Sequence, residues 1–375
     1  MANTLTRGLK NCTEGLSSDE KRGEAVGSVV KYSAVITKLR GMYSKLLRFD
    51  DFVALSSMTS VGEVVGYLKS SPGYSGLLSD VNETTVHRGT LEHLFSRDII
   101  NDAEKLSAML GEKEKNFLRI FLSKYEIEVV KKAVRNACRG GSSDGIADAA
   151  AIESHKIVSS GLNMERCFAA RNLAELRDAL AGTEYERIIG RFTDFGLRTP
   201  MDIGTALDEF YFKKLQRGAK TYLSASDSRG VNEFISAEID VFNILWIYRY
   251  KKYYDMTTEE IVNHIMPNKN KINRTTLYEL AACDIKEFPA IVEGMKYRDI
   301  FKGVDEKDWD RRFSAYLYRM YHRQLRKDSY NFSTVLAYLY LKEMDINNII
   351  TVVEGVRYGV APEKIIKYID VYTKH

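Results

Sequence analysis

The 375-residue sequence has little proline and little cysteine. Its five prolines, Pro72, Pro200, Pro267, Pro289 and Pro362, leave long stretches in which every residue keeps its backbone N–H. Such stretches suit long helices. The four cysteines, Cys12, Cys138, Cys167 and Cys283, form neither a close pair nor a Cys-x-x-Cys. This disfavours a disulfide framework and a zinc site and fits a reducing compartment. No apolar run approaches the ~20 residues a membrane helix needs, and the first residues lack the apolar centre of a signal peptide. Net charge is only +4, from 55 basic and 51 acidic residues interspersed along the chain, so the basic stripe of a nucleic-acid binder is absent. The run Gly140-Gly141-Ser142-Ser143-Asp144-Gly145 is not followed by Gly-Lys-Ser/Thr. It reads as a connector, not a phosphate loop, and no cofactor is expected.

What is present is repetition. Tyr125-Glu126-Ile127-Glu128-Val129-Val130, Ala237-Glu238-Ile239-Asp240-Val241-Phe242-Asn243 and Lys342-Glu343-Met344-Asp345-Ile346-Asn347-Asn348 each place two acids around an aliphatic residue, ahead of an aliphatic run. The leading glutamates fall 112 and 105 residues apart. A second phrase recurs at spacings of 112 and 112: Ser60, Asn172 and Asp284, each with a glutamate (Glu63, Glu175, Glu287) three residues on and a tyrosine (Tyr74, Tyr185, Tyr297) beyond. A cap-type residue followed by Glu at the third position is the capping-box signature of a helix start. Aromatic-rich helical sequence lies between the two phrases at 91–100, 207–215 and 316–325. Each copy therefore predicts a short capped helix, a middle helix and a long helix. The expected organisation is all-α: a polar lead-in over 1–27, then three similar helical segments over 28–140, 141–255 and 256–375, the third being the least regular. Within the first, Val30, Ala34, Leu39, Met42 and Leu46 recur at helical spacing, with Lys38, Arg40, Lys45 and Arg48 interleaved as a solvated face or as partners for a buried acid.

The repeated acids admit three readings. At i−4, i+3 and i+7 from Glu126, Glu238 and Glu343 every residue is apolar, so each glutamate interrupts an apolar stripe, and Glu128, Asp240 and Asp345 point elsewhere. Catalysis by paired carboxylates ordinarily has a histidine at helical spacing, and His87, His93, His155, His264, His322 and His375 do not follow the repeat. A buried acid held by a basic residue, a tyrosine hydroxyl or a backbone N–H is a second reading, since an unpaired buried charge is costly. Lining of a cavity or partner surface is the third. Asn243 and Asn348 recur three residues after the second acid and suit a bridge to a loop backbone. The 23 tyrosines, clustered at 248–254 and 316–321 and again at Tyr338 and Tyr340, suit a core or an interface. On this pattern each glutamate is expected to find its partner on a neighbouring helix of its own segment.

On these residues the chain resembles the C subunit of bacterial and archaeal V/A-type ATPases (ATP synthases), the counterpart of the d subunit of eukaryotic V-ATPases. The resemblance runs over roughly residues 30–370. It is carried by Ala337-Tyr338-Leu339, Lys342 to Asn348, Glu354-Gly355-Val356-Arg357-Tyr358-Gly359, Gly182-Thr183-Glu184-Tyr185 and the helix over 40–47. The sequence departs from that family in a longer polar N-terminus and at Val130-Lys131-Lys132, which lacks the asparagine of the other copies. The resemblance implies three helical subdomains about a pseudo-threefold axis, shaped as a funnel that binds no nucleotide. It implies central-stalk subunits and the membrane rotor ring as partners, no transmembrane segment, and a peripheral position on the cytoplasmic face. The implied role is coupling ATP turnover to proton or sodium transport without catalysis. The alternative is a helical-repeat adaptor with unrelated partners.

Overall fold

Side-chain caps fix eight of the described helix starts. Ser60, Asn163, Asn172, Thr199, Ser224, Thr257, Asn273 and Asn331 each accept a hydrogen bond from the backbone N–H three residues on, satisfying a donor that the first helical turn leaves free. The computed structural model describes residues 18–83, 86, 88–141, 161–194, 199–268, 270–303, 305–327 and 329–369. Its helices are α1 (Ser18–Tyr43), α2 (Phe49–Ser56), α3 (Val61–Ser70), α4 (Ser75–Leu78), α5 (Arg88–Ser107) and α6 (Glu112–Cys138). There follow α7 (Met164–Ala169), α8 (Leu173–Ala179), α9 (Glu184–Asp194), α10 (Pro200–Tyr222) and α11 (Ala225–Tyr253). The chain continues with α12 (Thr258–His264), α13 (Arg274–Ala282), α14 (Phe288–Glu293), α15 (Arg298–Phe301), α16 (Trp309–Arg326), α17 (Phe332–Arg357) and α18 (Pro362–Tyr368). No strand occurs among the described residues, and the all-α expectation holds.

Three local expectations need correction. Helix α1 begins at Ser18, inside the stretch expected as a loose lead-in; residues 1–17 lie outside the described set. Its buried stripe is Tyr32, Val35, Ile36 and Leu39, while Val30 is 76% exposed and Ala34 is exposed. The Tyr32 hydroxyl donates to the Asp227 carboxylate at 2.7 Å, which fixes which face of α1 turns inward. Ser60 and Asn172 cap α3 and α8 as expected, but the third phrase starts no helix at Asp284. Glu287 Oε2 still accepts from the Asp284 N–H, and α14 begins only at Phe288. Pro289 has no N–H to donate to Ile285, so the chain makes a turn first and carries the proline at the start of the helix, where it is tolerated.

The packing order is cyclic. The middle and long helices form a closed series of neighbours, α5 on α6, α6 on α10, α10 on α11, α11 on α16, α16 on α17, and α17 back on α5. Each long helix also packs on the short helices that come after it in this cycle: α6 on α7 and α8, α11 on α12 and α13, and α17 on α18, α2 and α3. The hydrophobic clusters follow these groups. Val241, Ile244, Leu280, Phe288, Tyr297 and Trp309 share one core. Leu47, Phe52, Val64, Phe95, Ile349 and Ile365 share another, drawn from both ends of the chain.

Helices α6 and α10 approach each other closely at a glycine. A methyl group placed on buried Gly218 would sit 2.7 Å from Ile120 Cδ1 and 3.4 Å from Phe117 Cδ2. Gly218→Val adds branched volume where no space exists, and a loss of about 1–3 kcal/mol is expected. Chemical denaturation of the purified chain measures it. An unchanged midpoint would mean that these helices are less tightly apposed.

Candidate functional site

The repeated acids sort into two layers, and the layers cross the segment boundaries. In the outer layer, Tyr185 donates its hydroxyl to Glu126 Oε2 at 2.9 Å, Tyr297 donates to Asp240 Oδ2 at 3.0 Å, and Tyr74 donates to Asp345 Oδ2. Each acid lies on a long helix. Each tyrosine comes after a short helix of the next segment (α3, α8 or α14), and the third pair returns to the first segment. All six side chains are buried. The expectation of partners within one segment is thus overturned: the acid on each long helix is held by a tyrosine of the segment after it.

Further donors reach the same acids. Asp240 also accepts from Asn268 Nδ2 at 2.6 Å, Asn270 Nδ2 at 3.0 Å and the Lys271 N–H at 3.1 Å. Asp345 accepts from the Leu47 N–H at 3.4 Å. Burial raises the Asp240 pKa, and the hydrogen bonds from Tyr297, Asn268, Lys271 and Asn270 work in the opposite direction. Burial first, and then the adjacent carboxylate, push the Tyr185 and Tyr297 hydroxyls far above the ordinary tyrosine range. These phenols stay neutral and act as donors. Asn243 clasps a loop as the sequence suggested: its Nδ2 donates to the Met266 carbonyl and its Oδ1 accepts from the Met266 N–H, both at 2.9 Å. Asn348 is also buried, but its Nδ2 finds no partner among the described residues. The first segment instead uses Asn136, whose Nδ2 donates to the Phe168 carbonyl at 2.9 Å.

These bonds put Glu126 in register with Asp240 and Asp345, two residues from the alignment on leading glutamates. Glu128 then drops out of the pattern. It is exposed and pairs along its own helix with Lys131 at 2.7 Å. The residues two positions before the outer acids become Lys124, Glu238 and Glu343, and these form the inner layer. Lys124 Nζ makes an ion pair with Glu343 Oε2 and lies 4.6, 5.1 and 5.0 Å from the ring centroids of Phe121, Tyr125 and Tyr340. Glu238 accepts from the Tyr321 hydroxyl, with Tyr340 as a second donor. The Tyr321 and Tyr340 rings stack 4.3 Å apart, tilted by 3°. Burial raises the Glu238 pKa, and the Glu343 charge adds to it. The tyrosine hydroxyls and Lys124 oppose the shift. Three long helices thus each contribute one charged side chain to a single knot, two carboxylates around one ammonium. Lys124 was missed in the sequence because it breaks the acid pattern. The signal was its constant distance of two residues from the acid that faces the tyrosine.

This arrangement fastens helices together. The acids are occupied by phenol, amide and ammonium donors, and no group of three or more His, Cys, Asp or Glu placed to hold a metal ion occurs among the described residues. No helix among them is long and apolar enough to cross a membrane. Buried ties of this kind hold the long helices of an all-α cycle to their neighbours. Residues 35–368 match the ATP synthase (C/AC39) subunit family, and the chain belongs to it. Among similar proteins, the A-type ATP synthase C subunit of Methanococcoides burtonii is 25% identical over 76% of this chain and 77% of its own length. That of Archaeoglobus fulgidus is 20% identical over 90% and 96%, and that of Thermococcus kodakarensis is 22% identical over 90% and 90%.

Removing one phenol tests the outer layer. Tyr185→Phe takes a donor from Glu126, which is only 4% exposed, and a loss of about 1–3 kcal/mol is expected in denaturant unfolding. A cost near zero would show that this tie holds nothing. Protonation tests the inner layer. A carboxyl whose folded pKa is raised contributes stability that is present below the ordinary glutamate value and is lost as pH rises through the raised value. Glu238→Gln keeps the neutral shape at every pH. Its Tm relative to the native chain should therefore climb as pH rises above the ordinary glutamate value of about 4, and a pH-independent difference would contradict the raised pKa.

Proposed function

We propose that this chain couples the central stalk of a rotary ATPase to the membrane rotor ring, so that ATP turnover and transmembrane proton or sodium transport proceed together. The observation that carries the reading is the cyclic set of buried ties, Glu126–Tyr185, Asp240–Tyr297 and Asp345–Tyr74, each joining one segment to the next. A part that passes torque between two partners must resist shear between its own helices. Buried hydrogen bonds across every junction supply that resistance, because breaking one leaves a desolvated polar group behind. In the same reading the three segments stand around a pseudo-threefold axis as a funnel. The stalk enters the funnel and the ring lies below it, on the cytoplasmic face of the membrane. Membership in the ATP synthase (C/AC39) subunit family supports assembly into such a complex, and so do relatives named as the C subunit of A-type ATP synthases.

Gentle detergent extraction followed by native mass spectrometry should recover the chain with stalk and ring subunits. Recovery as a separate species would sink the proposal. The combined variant Tyr74→Phe, Tyr185→Phe, Tyr297→Phe, if it assembles, should lower ATP-driven ion uptake per ATP hydrolysed while hydrolysis continues. An unaltered ratio would show that the ties do not carry torque.

A further inference from the structure

Two clefts occupy matching places in the first and second segments, and they differ in charge. In the first segment the cleft between α4 and α5 has a volume of 530 Å³, and its charged lining residues are Asp80 and Arg97, which balance. In the second, the cleft between α9 and α10 has a volume of 610 Å³ and is lined by Arg187, Arg191, Lys213 and Arg217 against Glu184 and Glu209. Both acids are already taken, Glu209 by Lys213 and Glu184 by Lys214. Arg187, Arg191 and Arg217 are exposed and make no side-chain ion pair or hydrogen bond among the described residues.

The second cleft also departs from the repeat in its backbone. The helix after the repeated tyrosine runs four residues in the first segment (Ser75–Leu78) and four in the third (Arg298–Phe301), whereas in the second the helix Glu184–Asp194 includes Tyr185 and runs nine residues beyond it. The added turns carry Arg191, one helical turn beyond Arg187. Ile188, Phe192 and Phe210 supply an apolar floor beneath them. Packing does not require these arginines, because the first and third segments close around their tyrosines without the longer helix.

We propose that the α9–α10 cleft docks an acidic polypeptide segment of a partner protein. Carboxylates spaced one helical turn apart would meet Arg187 and Arg191, and a third would meet Arg217. An apolar side chain between the carboxylates would seat on Ile188, Phe192 and Phe210. Guanidinium groups pair with carboxylates in bidentate fashion, and this gives the cleft directional preference as well as charge attraction. The matching cleft of the first segment, with its charges balanced, takes no such partner. The proposal is independent of the coupling role, since it concerns only what this cleft recognises.

Fluorescence anisotropy of a labelled synthetic helix, with glutamates one turn apart flanking leucine, tests the proposal on the isolated full-length chain. Saturable, salt-sensitive binding is expected. It should be at least tenfold weaker in Arg187→Gln/Arg191→Gln/Arg217→Gln and unchanged in Arg97→Gln. All four side chains can be replaced without opening a core, and thermal melts confirm that the variants fold. If the triple variant does not, Arg191→Gln alone should weaken binding and leave the melt unchanged. Absent binding, or equal binding by the native and triple-variant chains, overturns the proposal. Arginine-dependent binding of pyrophosphate or of phosphatidylglycerol vesicles in place of the peptide also overturns it, and assigns the cleft to phosphate groups.

Discussion

A carboxylate buried on one helix and held by a phenol from the next segment is the constraint on which this structure rests. Lone buried charges are costly, so the acid stays inside only if donors come to it. Tyrosine is suited to this because it brings a large apolar ring and one hydroxyl, and burial keeps Tyr185 and Tyr297 in the donor form. Each tie therefore does two things: its ring fills core volume, and its hydroxyl fixes where the following segment begins relative to the long helix. With the position of each segment set by its predecessor, the cyclic order of α5, α6, α10, α11, α16 and α17 follows from three local decisions.

The inner layer has a different character. Lys124, Glu238 and Glu343 leave their cluster one negative charge in excess when all are ionised, and the adjacent aromatic rings supply little solvation. The system answers with hydroxyls from Tyr321 and Tyr340 on Glu238 and with an ion pair on Glu343. Replacement of one acid by lysine in the first segment makes this possible. Three carboxylates at the same place would repel one another with no counter-charge. The asymmetry of the first repeat is thus the electrostatic condition for bringing three similar long helices together.

Much of this was legible from residue order. The threefold recurrence, the all-α class and the caps at Ser60 and Asn172 follow from spacing and elementary backbone chemistry, and family membership was already signalled by the segment around Lys342 to Asn348. The register of the first copy was not legible. Glu126-Ile127-Glu128 offers two acids, and spacing alone favours matching the first of them to Glu238. Only the tyrosine bond shows that Glu126 answers to Asp240. Whether a partner lies in the same segment or the next also escapes periodicity, because a helical stripe records that a face is covered and not by which element. Helix α1 was misphased for a related reason: Tyr32 belongs to its buried face because Asp227, far along the chain, receives its hydroxyl.

The core that joins α2 and α3 to α17 and α18 has a temporal meaning. Tyr74 and Asp345 lie 271 residues apart in sequence, so a ribosome completes most of the polypeptide before that core can exist. Until then Phe52, Leu55, Val64 and Leu68, all fully buried in the finished molecule, have no permanent cover. Long-range closure of this sort is slow and leaves apolar surface exposed in the meantime. The growing chain therefore presents an adhesive N-terminal face throughout synthesis, and the last helices to emerge decide whether it is sealed by its own C-terminal end or captured by a neighbouring molecule.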